Sequence, residues 1–91
     1  MSKNPVLLVE DDDDLREAIS ITLSLKGIDY RIFERAELAL TNIHPGYEGI
    51  LITDFRLPGM NGIELLKEAL KICPDMPVVV MTAYADAKLA V

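Results

Sequence analysis

Four short apolar runs punctuate the chain, and stretches of helical period lie between them. Val6-Leu7-Leu8-Val9 is continuous, β-rich and too short for a helix. Apolar on both faces, it reads as a strand buried inside a parallel sheet. From Leu15 the period changes, and Leu15, Ala18, Ile19, Thr22, Leu23 and Lys26 fall on one helical face. Asp14 with Glu17 makes a capping pair at the start of that helix, and Gly27 stops it. Tyr30-Arg31-Ile32-Phe33 alternates as a second strand. Ala36 to about Ile43 predicts a second helix, ended by His44-Pro45-Gly46. Ile50 to Thr53 is a third buried strand, and Asp54 to Asn61, containing Pro58-Gly59, is a loop. Ile63, Leu66, Leu70 and Cys73 stripe a third helix that Pro74 closes. Val78 to Met81 is a fourth strand, and Asp86 opens a further helix.

The order β-α-β-α-β-α-β-(α) predicts an α/β fold, a doubly wound parallel sheet with helices on both faces. Right-handed crossovers restrict its topology, and ligands in such sheets sit beyond the carboxyl ends of the strands where strand order reverses. Composition adds limits. At 91 residues, with 51% apolar and 26% charged, the chain has room for one compact domain over 1–91. Fifteen acids against nine bases leave a net charge of −6, which argues against nucleic acid and acidic membrane as partners. The lone Cys73 allows no intrachain disulfide, and one His excludes the usual Cys/His metal spacings. No apolar run approaches a membrane span and Met1 to Pro5 has no signal-peptide character, so the expected compartment is the cytoplasm.

The strand ends carry the candidate chemistry. The first strand runs into Glu10-Asp11-Asp12-Asp13-Asp14, the third into Thr53-Asp54 and the fourth into Thr82-Ala83. If the first and third strands are neighbours, Glu10, Asp11 and Asp54 meet at one rim, where like charges repel unless a proton or a cation joins them. A hard divalent cation, Mg²⁺, suits oxygen ligands of this kind. A carboxylate beside Mg²⁺ and a hydroxyl, Thr82, has the parts for phosphoryl transfer. Asp12 to Asp14 read instead as a solvated helix start favoured by the dipole. His44 reads as an exposed terminus and Cys73 as a packed small hydrophobe. Tyr47 and Tyr84 receive no chemistry from spacing.

These motifs resemble the receiver domain of bacterial two-component response regulators. The resemblance is carried by Val6-Leu-Leu-Val-Glu-Asp-Asp, Leu51-Ile-Thr-Asp-Phe-Arg-Leu-Pro-Gly-Met-Asn-Gly62 and Pro77-Val-Val-Val-Met-Thr-Ala83, in the family's order and spacing. It implies a flavodoxin-like strand order 2-1-3-4 and a phospho-acceptor at Asp54. It further implies Mg²⁺ held by Glu10, Asp11, Asp54 and the backbone carbonyl of Arg56. Thr82 would contact the phosphoryl oxygen and act as the switch, with Ala83 leaving access. Pro58 and Gly62 would shape the loop, Gly62 by supplying a backbone angle that other residues resist. A sensor histidine kinase would phosphorylate Asp54, and the domain could catalyse its own phosphorylation and dephosphorylation. More finely, Asp54-Phe-Arg-Leu-Pro-Gly-Met and Met81-Thr-Ala-Tyr-Ala-Asp resemble nitrogen-regulation and dicarboxylate-transport receivers. Those are joined to an ATPase and a DNA-binding segment that regulate transcription.

The family's fifth strand, with its Lys-Pro pair and aromatic, and its fifth helix are not in this sequence, which therefore reads as a receiver fragment. The fourth strand would then be an open apolar edge inviting self-association. Two rival functions stand beside the phospho-accepting module. A Mg²⁺-dependent aspartyl phosphatase would want an acid two residues past Asp54, where Arg56 stands and cannot serve. An unphosphorylated receiver-like interaction module would be favoured by the absent Lys.

Overall fold

The computed structural model describes residues 4–81. Within them the elements run β1 (Val6–Val9), α1 (Asp13–Leu25), β2 (Tyr30–Phe33), α2 (Ala36–Leu40), β3 (Leu51–Asp54), α3 (Gly62–Ile72) and β4 (Val78–Met81). All strand pairs are parallel, as the element pattern predicts, and the order is β2-β1-β3-β4, as the family resemblance implies. Strand order reverses between β1 and β3, so their carboxyl ends, at Glu10 and Asp54, share one rim. Thr82, Ala83, Tyr84 and the helix expected from Asp86 lie outside the described residues.

The register divides the sheet into two unequal faces. Leu7, Val9 and Leu51 project toward α2 and α3 and join Ala36, Ala39, Leu65 and Ala69 in the core. The opposite face carries Ile32, Leu8, Ile52 and Val79 in one row across the sheet. Helix α1 packs against β2. Leu8 is fully buried in that row, whereas Val79 on β4 is 49% exposed. The apolar face expected for α1 is correspondingly open: only Leu23 is buried, and Leu15 is 43% exposed.

Several element details differ from the pattern-based expectation. The N-cap of α1 is Asp12 rather than Asp14, because the Asp12 side chain accepts a 2.9 Å hydrogen bond from the Leu15 N–H. Asp13 and Asp14 then occupy the first turn, where the helix dipole favours them. Helix α2 stops at Leu40 instead of Ile43, since Asn42 and Ile43 donate to carbonyls three residues back and tighten the chain into turns. In α3 the buried residues are Gly62, Leu65 and Ala69, with Ile63, Leu66 and Leu70 half-buried, so the stripe is shifted by one position up to Ala69 while Cys73 keeps its expected place. Gly62 sets that phase by lying against the Asp54 backbone. Strand β3 is displaced by one residue from the expected Ile50 to Thr53, starting at Leu51 and ending at Asp54. Cys73 is buried in the core as expected, and His44 is exposed. Tyr47, left without a role by spacing, is also core, its hydroxyl donating to the Pro5 carbonyl at 2.5 Å.

Candidate functional site

Glu10 follows the last residue of β1 and is 1% exposed, which is rare for a lone carboxylate. Its backbone is fixed on both sides: its N–H donates to Phe33 at 3.0 Å, and its carbonyl accepts from Arg16 Nη1 at 3.0 Å. One carboxylate oxygen, Oε2, accepts from the Asp12 N–H at 3.0 Å. The other, Oε1, is buried with no hydrogen-bond partner. A buried, unsatisfied carboxylate oxygen is costly and calls for a cation or a proton.

Asp54 ends β3 on the adjacent strand and is half-buried. Its Oδ1 accepts from the Phe55 N–H at 2.9 Å. The Phe55 N–H also reaches the Met81 carbonyl at 2.7 Å, which ties the end of β3 to β4. Asp11 is exposed at the same rim. One oxygen from each of Glu10, Asp11 and Asp54 lies within 4.8 Å of the others.

The electrostatics follow from that crowding. Burial pushes the Glu10 carboxyl above its ordinary range, against the opposing hydrogen bond from Asp12, and the charges of Asp54 and Asp11 add to the rise. Burial likewise raises Asp54, with the Phe55 hydrogen bond opposing and Asp11 reinforcing. Both groups are thus ill at ease as free anions. The three carboxylates supply only oxygen ligands, and Glu10 among them carries a buried oxygen without a partner, so the set fits a hard divalent cation such as Mg²⁺.

Of the residues expected at the site, the fold brings Glu10, Asp11 and Asp54 together, and Arg56 is exposed two residues along the loop. Asp13 and Asp14 are exposed, as expected of a solvated helix start. Gly62 does not act through backbone angle: among the described residues positive φ occurs at Gly27 and Gly59, the latter at 75°. What Gly62 supplies is close approach, because a β-carbon there would overlap the Asp54 carbonyl and meet Phe55 Cα at 3.0 Å.

Two residues escaped the sequence reading. Arg16 holds the Glu10 carbonyl, pairs with Asp13 and faces Glu34 at 3.9 Å. The i,i+3 spacing of Asp13 and Arg16 was a local signal for part of this. Glu37, at the start of α2, accepts from the Met60 N–H at 3.2 Å across 23 positions of sequence. No local pattern announces it.

A doubly wound sheet with a carboxylate trio at its switch point accords with the receiver class that the motifs resemble. The chain belongs to the response regulator receiver domain family, whose sequence profile matches residues 6–91. It is 40% identical over 92 residues to the C4-dicarboxylate transport transcriptional regulatory protein DctD of Rhizobium meliloti (strain 1021), covering all of this chain and 20% of that protein. It is 34% identical over 91 residues to the DNA-binding transcriptional regulator NtrC of Proteus hauseri, covering all of this chain and 19% of that protein. The crystal structure of FixJ-N superposes with a TM-score of 0.78 at 32% identity, over 99% of this chain and 72% of the other. The chain thus spans about a fifth of the length of DctD and NtrC. It is a phospho-accepting signalling module rather than a classical enzyme. No helix among the described residues is long and apolar enough to cross a membrane.

Proposed function

We propose that Asp54 accepts a phosphoryl group from a sensor histidine kinase or a small phosphodonor. Glu10, Asp11, Asp54 and the Arg56 carbonyl hold Mg²⁺ in this reading. The observation that carries it is the Glu10, Asp11 and Asp54 trio, one oxygen from each within 4.8 Å of the others, in which Glu10 also keeps a buried Oε1 without a hydrogen-bond partner. Mg²⁺, when bound, neutralises phosphoryl oxygens and the carboxylates around them.

The chain's own residues do the rest. The Phe55 N–H holds Asp54 Oδ1 and, with the Arg56 backbone, orients the carboxylate, one of whose oxygens attacks. That oxygen forms a bond to phosphorus while the bond from phosphorus to the donor breaks. For a phosphohistidine donor, the imidazole leaves and takes up a proton from solvent. Thr82 contacts the transferred group and reads its presence. The domain switches an output domain that regulates transcription, in keeping with the names of DctD and NtrC, with an ATPase and a DNA-binding segment as its parts. A place in the cytoplasm accords with this role. The same groups promote phosphorylation and later hydrolysis of the domain's own acyl phosphate.

Treating the intact protein with acetyl phosphate tests the reading. One acid-stable, base- and hydroxylamine-labile phosphoryl group should appear with Mg²⁺ and not with EDTA, and Asp54→Asn should remove it. Equal labelling of Asp54→Asn, or labelling indifferent to Mg²⁺, contradicts it.

A further inference from the structure

The loop between β3 and α3 is pinned at both ends by its own backbone. At one end Phe55 donates to Met81; at the other, Gly62 N–H donates to the Phe55 carbonyl at 3.0 Å. Asn61 then caps α3 reciprocally with Glu64. Between those pins the loop is fastened to a different element. Glu37 of α2 accepts the Met60 N–H through Oε2 at 3.2 Å, while its Oε1 lies 3.7 Å from Arg35 Nε. Gly59 passes directly beneath this pair: a β-carbon there would lie 2.7 Å from Glu37 Oε2 and 3.1 Å from Arg35 Nη2. With φ of 75°, Gly59 also adopts a backbone conformation that other residues resist. Three independent features, a hydrogen bond, a close approach and a glycine-only backbone angle, therefore converge on one contact between α2 and the loop.

We propose that Glu37 is a positioning residue for the metal-binding rim, a latch that holds the loop from Asp54 to Asn61 so that the Arg56 carbonyl is preset toward Glu10, Asp11 and Asp54. This rests on the proposed function, in which that carbonyl is a ligand. The argument is one of preorganisation. A loop carbonyl that must be ordered when the ion arrives lowers affinity by the ordering cost, and a loop already fastened at Met60 has met that cost on folding. Helix α2 carries no ligand of its own, yet through Glu37 it sets how tightly the rim binds.

The test uses the intact protein with Glu37→Ala, Glu37→Gln and Gly59→Ala. Glu37 borders an open groove of about 630 Å³ beside Met60 and Glu64, so truncating it leaves no enclosed void and the fold should survive. Mg²⁺ titration followed by amide NMR gives Kd, and hydrogen exchange at Met60 reads the latch directly in metal-free protein. Glu37→Ala should weaken Mg²⁺ about threefold to tenfold, the net worth of one ordinary hydrogen bond, and speed Met60 exchange. Phosphoryl labelling at saturating Mg²⁺ should match wild type, because only the preset geometry is lost. Glu37→Gln keeps an acceptor for Met60 and should stay within about twofold, less than one hydrogen bond's worth. Gly59→Ala should reproduce Glu37→Ala, and the double variant should be little worse than either. Faster Met60 exchange with unchanged Kd overturns the proposal, as does additive loss in the double variant. A wild-type protein that binds no Mg²⁺ overturns instead the proposed function, and the exchange data separate the two failures.

Discussion

Gly62 and Asp54 are in backbone contact: the start of α3 lies so close to the Asp54 carbonyl that a β-carbon at position 62 would overlap it. The contact sets the phase of α3 and the height of the loop beside the acceptor. Because the obstructing atoms are backbone, they cannot swing away. Gly62→Ala should therefore destabilise by about 2 kcal/mol or more, in the range of overpacked cores, and should weaken Mg²⁺ binding. Gly46→Ala, where only His44 Nδ1 comes within 4 Å, at 3.9 Å, serves as the control. It should be neutral or gain about 0.5 kcal/mol from the stiffer unfolded chain. Urea denaturation of both proteins decides it; equal midpoints contradict the account.

Charge at the rim gives the second expectation. Burial raises the Asp54 carboxyl, so the folded, metal-free protein disfavours its charged form. At neutral pH, Asp54→Asn should melt higher than wild type in EDTA, since the amide oxygen still accepts from Phe55. Wild type should gain about 2.7 kcal/mol with Mg²⁺ a hundredfold above Kd, and Asp54→Asn should gain clearly less. Calorimetry with and without Mg²⁺ measures both. A shift of wild-type size in Asp54→Asn would mean that the ion binds elsewhere.

The pattern of short apolar runs was enough to place all four strands, although β1 and β3 carry buried residues and β2 and β4 carry none. The acids at Glu10, Asp11 and Asp54 were legible because they stand at strand ends, and topology alone brings those ends together. Helix phase was less legible. Leu66 and Leu70 are as apolar as Leu65, and what turns Leu65 and Ala69 inward is the Gly62 contact, which a single-sequence period does not contain. Asp12, Asp13 and Asp14 are three acids in a row, and the extended backbone of Asp12 together with its hydrogen bond from the Leu15 N–H chooses the cap among them. Glu37 was invisible because its partner is a backbone N–H far along the chain.

Glu37 also carries a pH signature. Its own backbone N–H and that of Met60 hold its carboxyl below the ordinary value of 4.5. A depressed carboxyl contributes stability that is present above its unfolded value and lost as pH falls through the folded one. The stability advantage of wild type over Glu37→Gln should therefore be full near neutrality and shrink as pH drops below 4.5. Denaturation midpoints across pH 3–7 measure the difference; an advantage that is flat with pH contradicts the latch.

The uneven sheet faces predict behaviour in solution. Val79 at 49% and Leu25 at 83% exposure, with Ile21 at 51%, leave apolar surface around β4 and α1. β4 is also the outer strand among those described. Expressed alone as these 91 residues, the chain should self-associate with rising concentration, and Val79→Lys should reduce it. Light scattering follows both. A monomer with a cooperative melt at high concentration would show that this surface is not adhesive.

The central claim is that Asp54 itself takes the phosphoryl group. Borohydride reduces an aspartyl phosphate to homoserine, so peptide mass spectrometry after phosphorylation and reduction reports which acid was modified. The account predicts homoserine at position 54 alone, in protein treated with acetyl phosphate and Mg²⁺ and not in protein treated with EDTA. Homoserine at Asp11 or another acid in place of Asp54 would contradict it.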